Sequence, residues 1–210
     1  MNKSLYEKGL QPSFSDKCAI TFVLSEQYIP YFTVTLLSIL DYVSPDKEYE
    51  IVVLTSEIDL YDCNILLDLV KPYPNVRLKF FDPKPYVKEY IKNSRFKYLY
   101  LNYFKLAIPW LFKEYNLVLN LGADILARVD IYDLLETKFS DDEYIGGVVD
   151  LGYLGRLKMD IPKEELDLKY PDGYVNADVL LFSIDNIRRD FSADYVMGLW
   201  QEYKFRCAEQ

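Results

Sequence analysis

Apolar and polar positions follow two alternating periods along the chain. Cys18–Leu24, Tyr49–Leu54, Val76–Phe81 and Leu117–Leu121 are short apolar runs bounded by charged or turn-forming residues, and they read as buried strands. Between them, Tyr31–Tyr42 sets Phe32, Leu36, Ile39 and Leu40 near one face of a helix, with Pro30 suited to its first turn. A second helix is expected from about Asp59 to Val70, ended by Pro72 and Pro74. Phe96–Phe112 reads as mainly helical, its later part opened or kinked by Pro109. Tyr144–Asp150 and Tyr174–Phe182 read as further strands and Ile184–Phe205 as a final helix, while charged, Pro-marked Lys158–Asp172 reads as a surface excursion.

Strands alternating with helices predict an α/β fold of βαβ units around a mainly parallel sheet. Residues 1–17 are polar and punctuated by Pro12, so they read as a loosely held lead-in. Residues 18–210 show no repeat or linker and read as one domain. The stretch NLVLNLGADILARVD, Asn116 to Asp130, organises the rest. Its strand stops at a turn signal, Gly122-Ala123-Asp124. Ligands in open α/β sheets sit outside the carboxyl ends of the strands, which is where Asp124 stands. Asp130 is placed to cap a short helix over the following residues.

Composition narrows the chemistry. Half of the 210 residues are hydrophobic and 16% are aromatic, which excludes intrinsic disorder. A net charge of -9 without a Lys/Arg run argues against binding a nucleic-acid backbone. No apolar stretch is long enough to span a bilayer, and the first 17 residues lack the apolar core of a signal peptide, so a cytoplasmic protein is expected. Cys18, Cys63 and Cys207 are few and widely spaced, as reduced structural thiols are. The chain has no His, which removes Ser-His-Asp triads, Cys-His pairs and His metal sites; any metal must be held by oxygen.

Four stretches in order resemble glycosyltransferase family eight, the glycogenin and bacterial lipopolysaccharide galactosyltransferase group. AITFVLSEQYIPYFTVTLLSIL is similar to the family's nucleotide-binding start, and YLYLNYFKLAIPWLFKEYNLVLNLGADIL to its helix and strand ending in D-x-D. YIGGVVD resembles the next strand and YVNADVLLFSIDNIRR the asparagine-alanine-glycine strand. The resemblance implies a Rossmann-like GT-A domain that moves a hexose from a UDP-sugar to an acceptor on a glycan or lipid, with retention and without an enzyme nucleophile. Carboxylates two apart on an extended segment face the same way and can hold Mn²⁺ or Mg²⁺ against a diphosphate.

Carried over by position, Tyr28 would stack on uracil, with Leu24 and Ser25 near the base. Lys105 would approach the diphosphate-sugar, Ala123 would present backbone near the ribose, and Asp124 would hold the metal. Asn176 and Ala177 would contact donor-sugar hydroxyls, Asp150 would help seat sugar or acceptor, and Glu209 and Gln210 would border the transferred sugar. Each has a plainer reading: a turn residue for Asp124, a solvated side chain for Lys105, a core-edge aromatic for Tyr28, a helix cap for Asp150.

Three positions depart from the family pattern. Gly122 stands in place of the first D-x-D carboxylate, and Asp178 stands in place of the motif glycine. The sequence ends at Gln210, before the family's C-terminal segment with its metal-binding His. Weak metal binding is therefore expected, and Gly122→Asp is expected to raise Mn²⁺-dependent UDP binding without restoring transfer. Two function classes stay open. One is a retaining hexosyltransferase using UDP-glucose or UDP-galactose, working in the cytoplasm on a lipopolysaccharide-type glycan with peripheral membrane contact. The other is a non-catalytic relative or fragment with at most weak UDP binding.

Overall fold

Tyr49–Leu54, the run without an exposed position, forms β3; a strand buried on both faces has to lie inside a sheet covered from each side. In the computed structural model, which describes residues 5–91, 100–150 and 175–203, that is where it lies. β3 pairs in parallel with β4 (Val76–Phe81) and with β2 (Cys18–Val23). β2 pairs in parallel with β5 (Leu117–Leu121), in the register Ile20↔Leu119 and Phe22↔Leu121. A two-residue β1 (Tyr6–Glu7) flanks β4, and β7 (Val175–Ser183) runs antiparallel between β5 and β6 (Ile145–Val149). The order is β1-β4-β3-β2-β5-β7-β6. The sheet is mainly parallel, as the apolar runs predicted, with β7 alone reversed.

Alternate residues of each strand face opposite helical layers. On one side, α1 (Ile29–Leu40), α2 (Leu60–Val70) and a short α5 (Tyr132–Leu135) bring Phe32, Leu36, Leu66 and Leu135 against Ile51, Val53, Leu119 and Leu121. On the other, α3 (Lys84–Ile91), α4 (Tyr100–Leu111), α6 (Ile184–Asp190) and α7 (Ala193–Tyr203) bring Val87, Phe104, Ile187 and Met197 against Val52, Leu54 and Val118. Each fully buried Leu, Ile or Phe contributes about 1.5–3 kcal/mol, so these two layers carry most of the stability.

Three points differ from the expectations. Residues 5–17 are not loosely held: Leu10 is buried, β1 pairs with β4, and the Tyr6 hydroxyl donates to the Ile58 carbonyl at 2.9 Å. Their polarity answers a buried charge. Glu50, on β3, is 2% exposed and accepts from Lys79 Nζ at 2.9 Å, from the Ser13 amide at 2.5 Å and from the Tyr115 hydroxyl. A buried carboxylate is tolerated only with such a full set of donors. Helix α3 was not foreseen; it is only eight residues long and mostly polar or exposed, with Val87 buried against the sheet. The final helix is two helices, broken at extended Phe191, where Ser192 Oγ accepts from the Tyr195 amide as an N-cap. Asp130 Oδ1 does take the first amide of α5, that of Tyr132, at 2.9 Å. The expected excursion at Lys158–Asp172 and the helical start at Phe96 lie outside the described residues.

Burial pushes the Cys18 and Cys63 thiols from 9.0 up to about 11, and burial with the hydrogen bond to Asp130 pushes the Tyr49 phenol from 10.0 up to about 12. The neutral forms are the ones favoured in the fold, so their contribution is complete below the unfolded values and lost as pH rises through the folded ones. Melting temperature should hold level to about pH 9 and fall between roughly pH 9 and pH 12. A melting temperature that rises across that window in a thermal-melt series contradicts this assignment.

Candidate functional site

The chain leaves β2 through α1 on one face to reach β3, and leaves β4 through α3 and α4 on the other face to reach β5. β2 and β5 are neighbours, so their carboxyl ends diverge at a topological switch point, where α/β sheets bind ligands. Beyond β2, Leu24 is buried and Ser25 is extended, leading into a tight helical turn at Glu26–Tyr28. Tyr28 is 43% exposed, its ring tilted 52° against Tyr31 at 5.8 Å.

Beyond β5 the turn Gly122-Ala123-Asp124 is tied to α1. Thr35 is fully buried, so its hydroxyl must find acceptors. It donates to the Ala123 carbonyl at 2.9 Å and the Ile125 carbonyl at 2.7 Å, while Ser38 Oγ accepts from the Ala127 amide at 2.9 Å. Exposed Asp124 therefore sits between two anchored carbonyls.

Because β7 is antiparallel, its first residues arrive at this same edge. The Gly122 amide donates to the Asp178 carbonyl at 2.9 Å, continuing the β5–β7 ladder. From α4, Lys105 Nζ reaches Asp178 Oδ1 at 3.1 Å and the Ala177 carbonyl at 3.3 Å. Asn120 Nδ2 donates to that same carbonyl at 3.3 Å, and its buried Oδ1 has no partner among the described residues. Asn176 Oδ1 takes the Asp178 amide at 2.7 Å, and Asn176 Nδ2 lies 3.5 Å from Asp150 Oδ2.

The fold thus gathers Lys105, Ala123, Asp124, Asp150, Asn176 and Ala177 at one edge, with Leu24, Ser25 and Tyr28 on the adjoining strand end. Glu209 and Gln210 lie outside the described residues. Lys105 is not simply solvated: it pairs with Asp178, with side-chain exposures of 24% and 51%. A pair this exposed adds only about 0.2–1 kcal/mol, so stability does not explain its placement. Asp178, Thr35 and Asn120 are the participants that residue-by-residue reading did not single out as part of the site. The amide inside the apolar LVLNL was the visible sign of the last. A separate cleft of about 510 Å³, lined by Asp16, Lys47, Asn75 and Arg77 among others, opens at the opposite, amino-terminal edge and contains none of these groups.

Hard divalent cations at diphosphate sites take one or two carboxylates plus phosphate oxygens. Asp124 and Asp178 both lie at this strand end: a Cβ placed on Gly122 would be 3.3 Å from Asp124 Oδ1 and 3.0 Å from Asp178 Cγ. Among the described residues no group of three or more Cys, Asp or Glu side chains could hold a metal. The site fits a cation that brings its own phosphate ligands.

Residues 19–205 match the family described as Glycosyl transferase family 8. No curated protein matches the chain. Among solved structures, the apo WbbM bifunctional glycosyltransferase superposes with a TM-score of 0.80 at 22% identity, over 92% of this chain and 35% of that one. Galactosyltransferase LgtC, in complex with donor and acceptor sugar analogues, gives 0.71 at 23% identity, over 91% of this chain and 67% of that one. Mouse xyloside xylosyltransferase 1 gives 0.65 at 14% identity, over 89% and 75%. The likeness is one of fold, and the chain spans little more than a third of WbbM.

Thr35→Val should cost about 1–3 kcal/mol in urea unfolding, because it strips the donor from two carbonyls. It should also speed hydrogen exchange across residues 123–127. Unchanged stability and unchanged exchange together would show that the loop does not depend on α1.

Proposed function

Because the chain belongs to glycosyltransferase family 8, we propose that it moves a hexose from UDP-glucose or UDP-galactose to a hydroxyl of a glycan or glycolipid, with retention. The observation that carries this reading is the meeting of Asp124, Lys105, Asp178 and Asn176 at the carboxyl edge of the sheet. In this reading the exposed Tyr28 ring stacks on uracil beside Leu24 and Ser25, and Ala123 presents backbone to the ribose. Lys105 faces the diphosphate, Asp124 holds a Mn²⁺ or Mg²⁺ ion, and Asn176 and Ala177 bind sugar hydroxyls. Asp150 seats sugar or acceptor, and Glu209 and Gln210 border the transferred sugar.

A bound cation would supply neutralisation of the charge that develops on the leaving diphosphate. The chain's own groups do the rest. Asn176, itself oriented by the Asp178 amide and by Asp150, fixes the sugar so that an acceptor oxygen attacks the anomeric carbon from the face that the diphosphate leaves. The bond to the phosphate oxygen breaks, the glycosidic bond forms, and the acceptor proton passes to the departing diphosphate. No protein nucleophile is needed, which suits a chain without His. That LgtC holds donor and acceptor sugar analogues supports this arrangement by likeness. The work would be cytoplasmic, on a lipopolysaccharide-type acceptor, with peripheral membrane contact; no described helix is long and apolar enough to cross a membrane.

A second reading, a non-catalytic relative that binds UDP weakly, is favoured by Gly122 and by the lack of a three-ligand metal group among the described residues. Calorimetry with UDP, with and without Mn²⁺, tests both. Metal-dependent binding is expected, and no heat in either condition overturns the first reading. Release of UDP from UDP-glucose or UDP-galactose in the presence of acceptor separates the transferase from the inert relative. Tyr28→Ala should weaken UDP by about 5–150-fold, the worth of one base stack; unchanged affinity would remove Tyr28 from the site.

A further inference from the structure

We propose that Asp178 supplies the carboxylate that position 122 lacks: the group has passed from the end of β5 to the facing residue of β7, where it acts beside Asp124 toward a diphosphate-bound cation. The inference rests on reading this edge as a nucleoside diphosphate site. Its physical basis is a single shared space. The paired register Leu121↔Val179 continues one step through the 2.9 Å bond from the Gly122 amide to the Asp178 carbonyl, so residues 122 and 178 face each other. A Cβ built on Gly122 would lie 3.0 Å from both Cβ and Cγ of Asp178, and 3.3 Å from Asp124 Oδ1. The Asp178 side chain therefore fills the space that a side chain at 122 would enter, next to the same neighbour. Two carboxylates flank that point, as they would if the strand end itself carried Asp at 122.

Lys105 makes the arrangement workable. Its 3.1 Å contact neutralises Asp178 while no anion is present, so Asp178 is not an unopposed charge facing the phosphates. The pair is half-exposed and weak, so it opens readily. With a diphosphate and its cation present, the ammonium, one of its three donors on the Ala177 carbonyl, would turn the others to phosphate oxygens and leave the Asp178 carboxylate available to the cation. Each charge changes partner and none is left alone.

The same geometry reverses the expectation for position 122. Gly122→Asp alone puts a Cβ 3.0 Å from Cβ and Cγ of Asp178 and adds another carboxylate beside it. Steric contact and like-charge repulsion then oppose binding. Returning the pair to the other strand requires both changes, Gly122→Asp with Asp178→Gly.

The experiment titrates Mn²⁺ into the full chain with saturating UDP, following free Mn²⁺ by electron paramagnetic resonance, and records melting temperatures of each protein without metal. Asp178→Asn, a change at a half-exposed side chain, should fold normally and weaken Mn²⁺ by about 10–100-fold, the range for disturbed metal sites. Gly122→Asp should melt lower than the parent and gain no Mn²⁺ affinity, and the double swap should recover both. Asp178→Asn binding Mn²⁺ as tightly as the parent, or Gly122→Asp alone binding it more tightly, overturns the proposal. A parent protein that binds no UDP in either condition instead removes the nucleotide site on which the proposal stands.

Discussion

The pairing of β2 with β5 decides where this protein can bind anything. It joins two halves of one sheet, β1-β4-β3-β2 and β5-β7-β6, and it is where the chain's crossovers change face. Five residue pairs, Cys18↔Leu117 to Phe22↔Leu121, hold the junction. A slip of one residue would turn Asn120 and Gly122 toward α1 and send Leu119 and Leu121 into the other layer. The apolar cost of that slip, Leu119 and Leu121 taken from one core layer and Val118 from the other, is what fixes the register. Fixing it also fixes which side chains meet beyond the strand ends.

Buried polar groups extend that rigidity outward. Glu50 recruits Lys79, Tyr115 and the Ser13 amide, so the segment before β2 is held by a charge in the middle of the sheet. Thr35 does the same for the turn after β5, through the Ala123 and Ile125 carbonyls. In both cases an unsatisfied buried group would cost more than the hydrogen bond contributes, so the flanking segment has little freedom to leave. The turn that carries exposed Asp124 is thereby tied to α1.

Much of this was legible in the sequence, because strands and turns leave local marks. Leu117–Leu121 announces itself by its apolar run, and Asp124 by the turn that follows. Alternation of strands and helices gave a mainly parallel sheet. What local marks do not carry is company. α3 is eight residues long and too polar to stand out, and the break at Phe191–Ser192 depends on a single cap. β1 is two residues long and exists because β4 offers it an edge. At the site, the resemblance chose Lys105, Asp124, Asp150 and Asn176 one by one. Their meeting depends on cross-strand register, and Lys105 and Asp178 are 73 positions apart. Asp178 shows in the sequence only as a departure from the motif glycine, and its counter-ion Lys105 shows only in the fold.

The reversal of β7 has a broader consequence for how a signature should be sought. Facing residues on antiparallel neighbours carry their Cβ atoms about 4.5–5.5 Å apart, and here a Cβ at position 122 would lie only 3.0 Å from that of Asp178. A functional group can therefore be exchanged between two such strands while its oxygens stay within the same small volume. Scanning the line of letters from Gly122 to Asp124 counts one acid; standing at that point in space counts two. What is inherited at such an edge is an address in three dimensions, and the letter that occupies it can be spelled from either strand.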